Sequence, residues 1–224
     1  MPNNIHSRGN KHILLKIPAT ILSNQELSFN DKLIYGLDYA YHFKKGYNKL
    51  TNNKIAELLS LHRNIVSKSR NTLIKKGYLT KEKLVYELTD KHMTESSANK
   101  IDRREIFLPF EIYSHKYLST GAKLLWGEYN SISKGIREYF AKRSYTSKRL
   151  NASLESITNW TKQLEQYQLL KKYGHRTGFC TNQKVIVTCE FKDGKKITAI
   201  THIQNPDGDW VLRRPRMLGF EEWE

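Results

Sequence analysis

The chain has 224 residues, of which 38% are hydrophobic and 27% charged, with a formal net charge of +16. That length suits one or two domains, and the modest apolar share suits two small cores better than one large one. Two cysteines, Cys180 and Cys189, exclude a disulfide scaffold and a cysteine-based zinc finger. No apolar run approaches the ~20 residues of a membrane span. The polar stretch Met1 to His12 has no secretory apolar region, so the expected location is the cytoplasm, with no membrane partner.

The charge is unevenly placed. Residues 1–90 hold 15 Lys/Arg against 7 Asp/Glu, and residues 103–176 hold 14 against 6, while residues 91–102 and 177–224 are each neutral. Two equal basic blocks around a neutral joint attract polyanions, nucleic acid first. The same blocks carry a repeat at an offset of 91 positions. Ile17-Pro18 meets Leu108-Pro109, Ile21 meets Ile112, Ser23 meets Ser114, and Leu27-Ser28 meets Leu118-Ser119. Lys32-Leu33 meets Lys123-Leu124, Gly36 meets Gly127, Leu59 meets Leu150, Val66 meets Ile157, Leu73 meets Leu164 and Leu79 meets Leu170. The matches fall on positions that set a fold, which implies a duplicated domain, each copy with its own core.

In chain order, residues 1–12 form an N-terminal arm. It reads first as a disordered tail, and Arg8 and Lys11 make a minor-groove arm the rival reading. The first domain spans 13–90. It opens with Leu14 to Ile21, broken by Pro18. Ser28 and Asp31 then have capping-box spacing, and apolar residues at helical spacing follow to a stop at Lys45-Gly46. Thr51 caps a second helix that turns Ile55, Ala56, Leu58 and Leu59 inward. After the turn Ser60-Leu61, His62 takes the N-cap position of a third helix, Arg63 to Lys76, which stops at Gly77. A strand at Tyr78 to Thr80, a turn at Lys81-Glu82-Lys83 and a strand at Leu84 to Leu88 complete the copy. Residues 91–103 read as a linker, with a helical linker as the rival.

The second domain spans 104–202. Ser119 caps its first helix, Tyr145 to Leu150 form the second, and Ser153 caps the third, Leu154 to Gln166. A longer hairpin follows: a strand Lys171 to Arg176, a loop Thr177 to Gln183, and a strand Lys184 to Phe191 with Val185, Val187, Cys189 and Phe191 alternating. Asp193-Gly194 signals another hairpin, with a strand over Lys195 to His202. The tail, 203–224, carries Arg213-Arg214-Pro215-Arg216, Phe220 and Trp223, which suits docking either on the second copy or on a partner.

The frame "LT…IAELL…VS…L…KGYL", within Ile17 to about Leu88, resembles the winged helix-turn-helix domains of plasmid and phage replication initiation proteins and of related regulators. The resemblance implies a mainly α fold with small β wings (α+β), as two tandem winged-helix domains. It also implies double-stranded DNA as the partner and a third helix that enters the major groove. One departure is Arg70, at a site that is usually apolar. Either its stem packs there with the head outside, or the third helix starts one residue off.

On that footing the base-reading positions of the first copy are Arg63, Asn64, Ser67, Lys68 and Asn71, a face with long donors, amides and a hydroxyl and no acid. Those of the second copy are Ser156, Thr158, Asn159 and Lys162, beside Leu154 and Glu155. This face is poorer, and two readings stay open: a second, looser reader, or a backbone clamp or dimer interface. Backbone contacts fall to Thr51, Asn52, Asn53, Lys81 and Lys83, and to Lys142, Arg143, Lys171, Lys172 and Arg176.

No phosphate-binding glycine motif, nucleophile elbow or metal-spaced histidine pair is present, so no catalytic residue, metal or cofactor is expected and the chain reads as a non-enzyme. The expectation is sequence-specific DNA binding at a plasmid or phage origin. The alternative is a transcriptional regulator or repressor of a mobile element, and a protein-interaction module comes third. Further partners on this reading are a second copy and the replication or transcription machinery.

Overall fold

The computed structural model describes residues 12–91, 93–94, 104–133, 139, 141–177, 180–192, 195–197, 202–204 and 210–212. It is a mixed α+β structure of helices with short antiparallel strand pairs. The N-terminal arm up to Lys11, most of the linker, the Asp193-Gly194 turn and the Arg213–Glu224 tail lie outside the described residues. Within the linker, the Met93 and Thr94 N–H groups donate to the Asp90 carbonyl, one helical turn.

The first copy runs β1 (Leu15–Ile17), α1 (Ala19–Ser23), α2 (Phe29–Lys45), α3 (Asn52–Leu59), α4 (Arg63–Lys75), β2 (Leu79–Glu82) and β3 (Val85–Leu88). Local chemistry sets its boundaries. The Ser28 hydroxyl accepts from the Asp31 N–H at 3.2 Å while the Asp31 carboxylate accepts from the Ser28 N–H at 2.9 Å, a full capping box. Gly46 ends α2 in the left-handed region, at φ 80°. Thr51 Oγ1 accepts from Lys54 N–H, and His62 Nδ1 accepts from Asn64 N–H at 3.2 Å, so the imidazole serves as an N-cap.

The second copy runs β4 (Ile106–Leu108), α5 (Phe110–Tyr113), α6 (Thr120–Ser133), α7 (Arg143–Leu150), α8 (Leu154–Gln166), β5 (Leu170–Thr177) and β6 (Cys180–Thr188). The offset of 91 extends to backbone detail. Ser60 and Asn151 both end their helices at φ 52°, and Gly77 (φ 75°) matches Gln168 (φ 54°). The backbone bridge Asn48–Tyr86 has an analogue in Tyr139–Ile186, where Tyr139 keeps the offset and the longer second hairpin places a later residue, Ile186, opposite it. A Cβ on Gly36 would lie 2.5 Å from Ile17, and one on Gly127 would lie 2.7 Å from Leu108, so each copy needs glycine where its first long helix crosses its first strand.

The copies do not carry separate cores. Their buried side chains form one cluster. β1 pairs antiparallel with β4, Leu15 opposite Leu108, Lys16 opposite Phe107 and Ile17 opposite Ile106. Lys16 and Phe107 are 91 positions apart, so a local two-fold axis passes between them. A three-residue strand alone leaves its ladder groups unpaired, and pairing the two satisfies both. The side chains follow the same axis. Lys32 Nζ donates to the Leu150 carbonyl at 3.0 Å, closing α7, and Lys123 Nζ donates to the Leu59 carbonyl at 2.8 Å, closing α3. Lys123 also donates to the Tyr113 carbonyl.

Burial pushes both ammonium groups down to about 8 from the usual lysine range. The unfolded chain therefore binds more protons than the folded one between about pH 8 and 10, and stability rises with pH across that window. We expect a gain on the order of 2 kcal/mol per lysine. The check is the urea midpoint at pH 8 and pH 10 for wild type and Lys32→Met, the variant showing the smaller rise.

The buried polar pairs obey the frame but not the chemistry. Asp38 and Arg70 correspond to Tyr129 and Thr161. The first two form an ion pair at 2.7 Å and the second two share a hydroxyl hydrogen bond at 2.9 Å. Conversely, Glu128 and Arg149, paired at 3.1 Å, stand where the first copy has Leu37 and Leu58. Arg70 corrects both sequence-based alternatives. α4 starts where expected, and the guanidinium lies inside, 1% exposed. It donates to Asp38, to the Leu50 carbonyl at 2.8 Å and to Asn52 Oδ1 at 3.1 Å, with Tyr86 3.7 Å from its centre.

The hairpins differ from the expected ones. The first turns at Lys83-Leu84, not at Lys81 to Lys83, because Leu79 pairs with Leu88 and that register places Glu82 opposite Val85. Lys83 sits at φ 53°. In the second copy most of the expected loop Thr177 to Gln183 is strand, with Thr177 opposite Cys180 and an irregularity after His175. The expected strand Lys184 to Phe191 breaks at Cys189, whose N–H donates to the Leu169 carbonyl. Val187, Thr188 and Cys189 are buried in succession, which a straight alternating strand forbids. β7 (Glu190–Lys192) then pairs with β8 (Lys195–Ile197), and β9 (His202–Gln204) with β10 (Trp210–Leu212).

Candidate nucleic-acid interface

α4 is held by Val66 and Leu73, fully buried, with Ser69 and Arg70 on the same side. That packing turns Arg63, Asn64, Lys68 and Asn71 outward, all exposed, with Ser67 half-buried beside them. Two shallow depressions divide these residues. One, of about 470 Å³, is bordered by Asn64, Ser67, Lys68, Asn71, Thr72 and Lys75. The other, of about 360 Å³, lies where the start of α3, the start of α4 and the β2–β3 hairpin meet. Arg63 belongs to this second one, with Lys49, Thr51, Asn52, Asn53, Lys81, Leu84 and Tyr86, and Arg70 forms its floor.

The structure thus brings the expected base-reading residues onto one helix but separates Arg63 from the rest. It also brings Arg63 to the expected backbone contacts Thr51, Asn52, Asn53 and Lys81. Among the described residues no carboxylate borders either depression. A cationic hollow of amides, hydroxyls and ammonium groups suits a phosphate group. Asn52 is partly committed, since its amide oxygen accepts from Arg70. Lys83 is exposed at the hairpin turn, outside the hollow. Lys49 and Tyr86 were not singled out from sequence. Lys49 stands two residues before the Thr51 cap, the one local signal that would have flagged it. Tyr86 reaches the hollow only through strand pairing.

The α8 face is built the same way, on Ile157, Thr161 and Leu164. Asn159 and Lys162 are exposed, as are Leu154 and Glu155, while Ser156 and Thr158 are half-buried. The hydroxyls are already engaged. Ser156 shares a hydrogen bond with Ser153 at 2.9 Å, and Thr158 donates to the Leu154 carbonyl at 2.9 Å and accepts from Arg143 at 3.4 Å. Lys142 and Arg143 are exposed at the start of α7, and Lys171 is exposed on β5. Lys172 instead pairs with Glu165 of α8, so its charge is balanced within the protein. Arg176 is on β5, and its side chain lies outside the described residues.

Among the described residues no group of three His, Cys, Asp or Glu could hold a metal ion, and no helix is long and apolar enough to cross a membrane. No family model matches the chain, and no curated protein matches it. Among solved structures, the DIP2311 protein from Corynebacterium diphtheriae overlays 69% of this chain at 14% identity with a TM-score of 0.23. The overlay spans about a quarter, 26%, of that protein's chain.

Proposed function

We propose that the chain is a sequence-specific double-stranded DNA-binding protein made of two tandem winged helix-turn-helix domains, residues 13–90 and 104–202. The observation that carries this reading is the pairing of an acid-free outward face on α4 with the cationic hollow beside it. In this arrangement α3, the turn and α4 are the helix-turn-helix, and β2–β3 is the wing. α4 enters the major groove, where Arg and Lys meet guanine acceptors and Asn meets adenine. The hollow at Thr51, Asn53 and Lys81 takes a backbone phosphate.

The local two-fold axis between Lys16 and Phe107 supports the reading further. Symmetric dimers use such an axis to set two recognition helices on one face of a duplex, ~34 Å apart. Here one chain supplies both halves. Because the α4 and α8 faces differ, the site it reads is asymmetric in sequence. The biological role that fits is an origin-binding replication initiator of a plasmid or phage. A transcriptional regulator of a mobile element would use the same surface. Direct repeats beside the gene on the source DNA favour the initiator, and a single palindrome over a promoter favours the regulator.

Titrating one labelled duplex and its single strand over a salt series tests the partner class. The account expects tighter binding to duplex, with log affinity falling linearly with log salt. Equal binding to both strands' forms would count against it. On the same series, Lys83→Ala is expected to weaken all duplex sequences alike and to reduce the salt slope by about 1.

A further inference from the structure

We propose that Leu154 reads the 5-methyl group of a thymine in the half-site of the second copy. The inference rests on the DNA-binding reading above and names what α8 recognises. Leu154 is the first residue of α8 and is 53% exposed. The offset of 91 makes it the counterpart of Arg63, so the local two-fold sets a leucine against the second half-site where an arginine meets the first.

A lone exposed leucine is ordinary on a protein surface. What singles this one out is its place at the Arg63 position of the second copy, and its surroundings decide what it would meet there. Exposed near it in sequence on α8 are Glu155 and Asn159, and Lys142 and Arg143 are exposed at the start of α7. Arg143 is tied to the same turn through Thr158, which in turn bonds the Leu154 carbonyl. A protein-docking surface has a contiguous apolar centre depleted of charge. Among the described residues of α7 and α8, Leu154 is the one large apolar side chain that is exposed. The major-groove edge of DNA offers the matching pattern: donors and acceptors throughout, and one apolar group, the thymine methyl.

The consequence is a chemical difference between half-sites. The first carries a base with acceptors for Arg63, and the second carries thymine at the related position. The test starts from the duplex sequence that the wild-type chain enriches out of a random pool. Each thymine in it is replaced singly by deoxyuracil, which removes the methyl group and leaves the hydrogen-bonding edge unchanged. One position is expected to lose affinity roughly fourfold, the factor that burying one such carbon gives. Leu154→Ala is expected to lose the same factor on the thymine duplex and to be indifferent to uracil at that position. Losses that multiply at every position, or a wild-type chain indifferent to every replacement, would overturn the role of Leu154 and leave the DNA-binding reading standing. Enrichment of no sequence would overturn both.

Discussion

Arg70→Ala is expected to destabilise the protein by about 3–5 kcal/mol, the cost of leaving one member of a buried ion pair alone. The side chain is 1% exposed, and its partner Asp38 is 2% exposed. Burial raises the Asp38 carboxyl above its ordinary range, and Arg70, with Asn48, opposes that rise. Removing the guanidinium strands the carboxylate and also frees the Leu50 carbonyl that anchors the approach to α3. The frame itself does not demand a charge there, since the second copy holds the neutral Tyr129–Thr161 pair at the same two positions. A double variant, Asp38→Leu with Arg70→Met, should therefore lose less than Arg70→Ala alone. Urea denaturation of the three proteins measures this. A single variant as stable as wild type would show that the pair is not what ties α2 to α4.

Arg63→Ala is expected to cost the cognate site about 1–3 kcal/mol, or roughly 5- to 150-fold, while random duplex loses little. Asn64→Ala should behave likewise. The two differ in position, and that sharpens the test. Asn64 shares its depression with Ser67, Lys68 and Asn71, whereas Arg63 shares the hollow of Thr51, Asn53 and Lys81. If Arg63→Ala weakens cognate and random duplex equally, Arg63 belongs with the phosphate contacts, and base reading falls to Asn64, Ser67, Lys68 and Asn71. Competition binding with a cognate and a scrambled duplex separates these outcomes.

Much of the fold was legible because it is written locally. The Ser28–Asp31 capping box, the Thr51, His62 and Ser153 caps and the Gly46 stop each involve residues within four of one another. The repeat was legible because both copies keep the same apolar, glycine and proline positions. What stayed hidden is non-local. Nothing near Arg70 announces Asp38, 32 positions earlier. Nothing near Lys32 announces the Leu150 carbonyl, 118 positions later. The β1–β4 pairing that merges the cores joins two three-residue strands too short to read as strands. The hairpin turns shifted because strand register is set by what each strand packs against, not by its turn residues alone. The candidate site was legible as a helix face, since 3.6-residue spacing places Asn64, Lys68 and Asn71 together. Its division into two depressions depends on the hairpin and was not.

The most direct measurement is a binding selection on random duplex DNA at two salt concentrations. The account predicts enrichment of one motif with two unlike half-sites about one helical turn apart, at both salt concentrations. Binding without enrichment, falling steeply with salt, would mean contact with phosphate alone and would contradict base reading by α4 and α8.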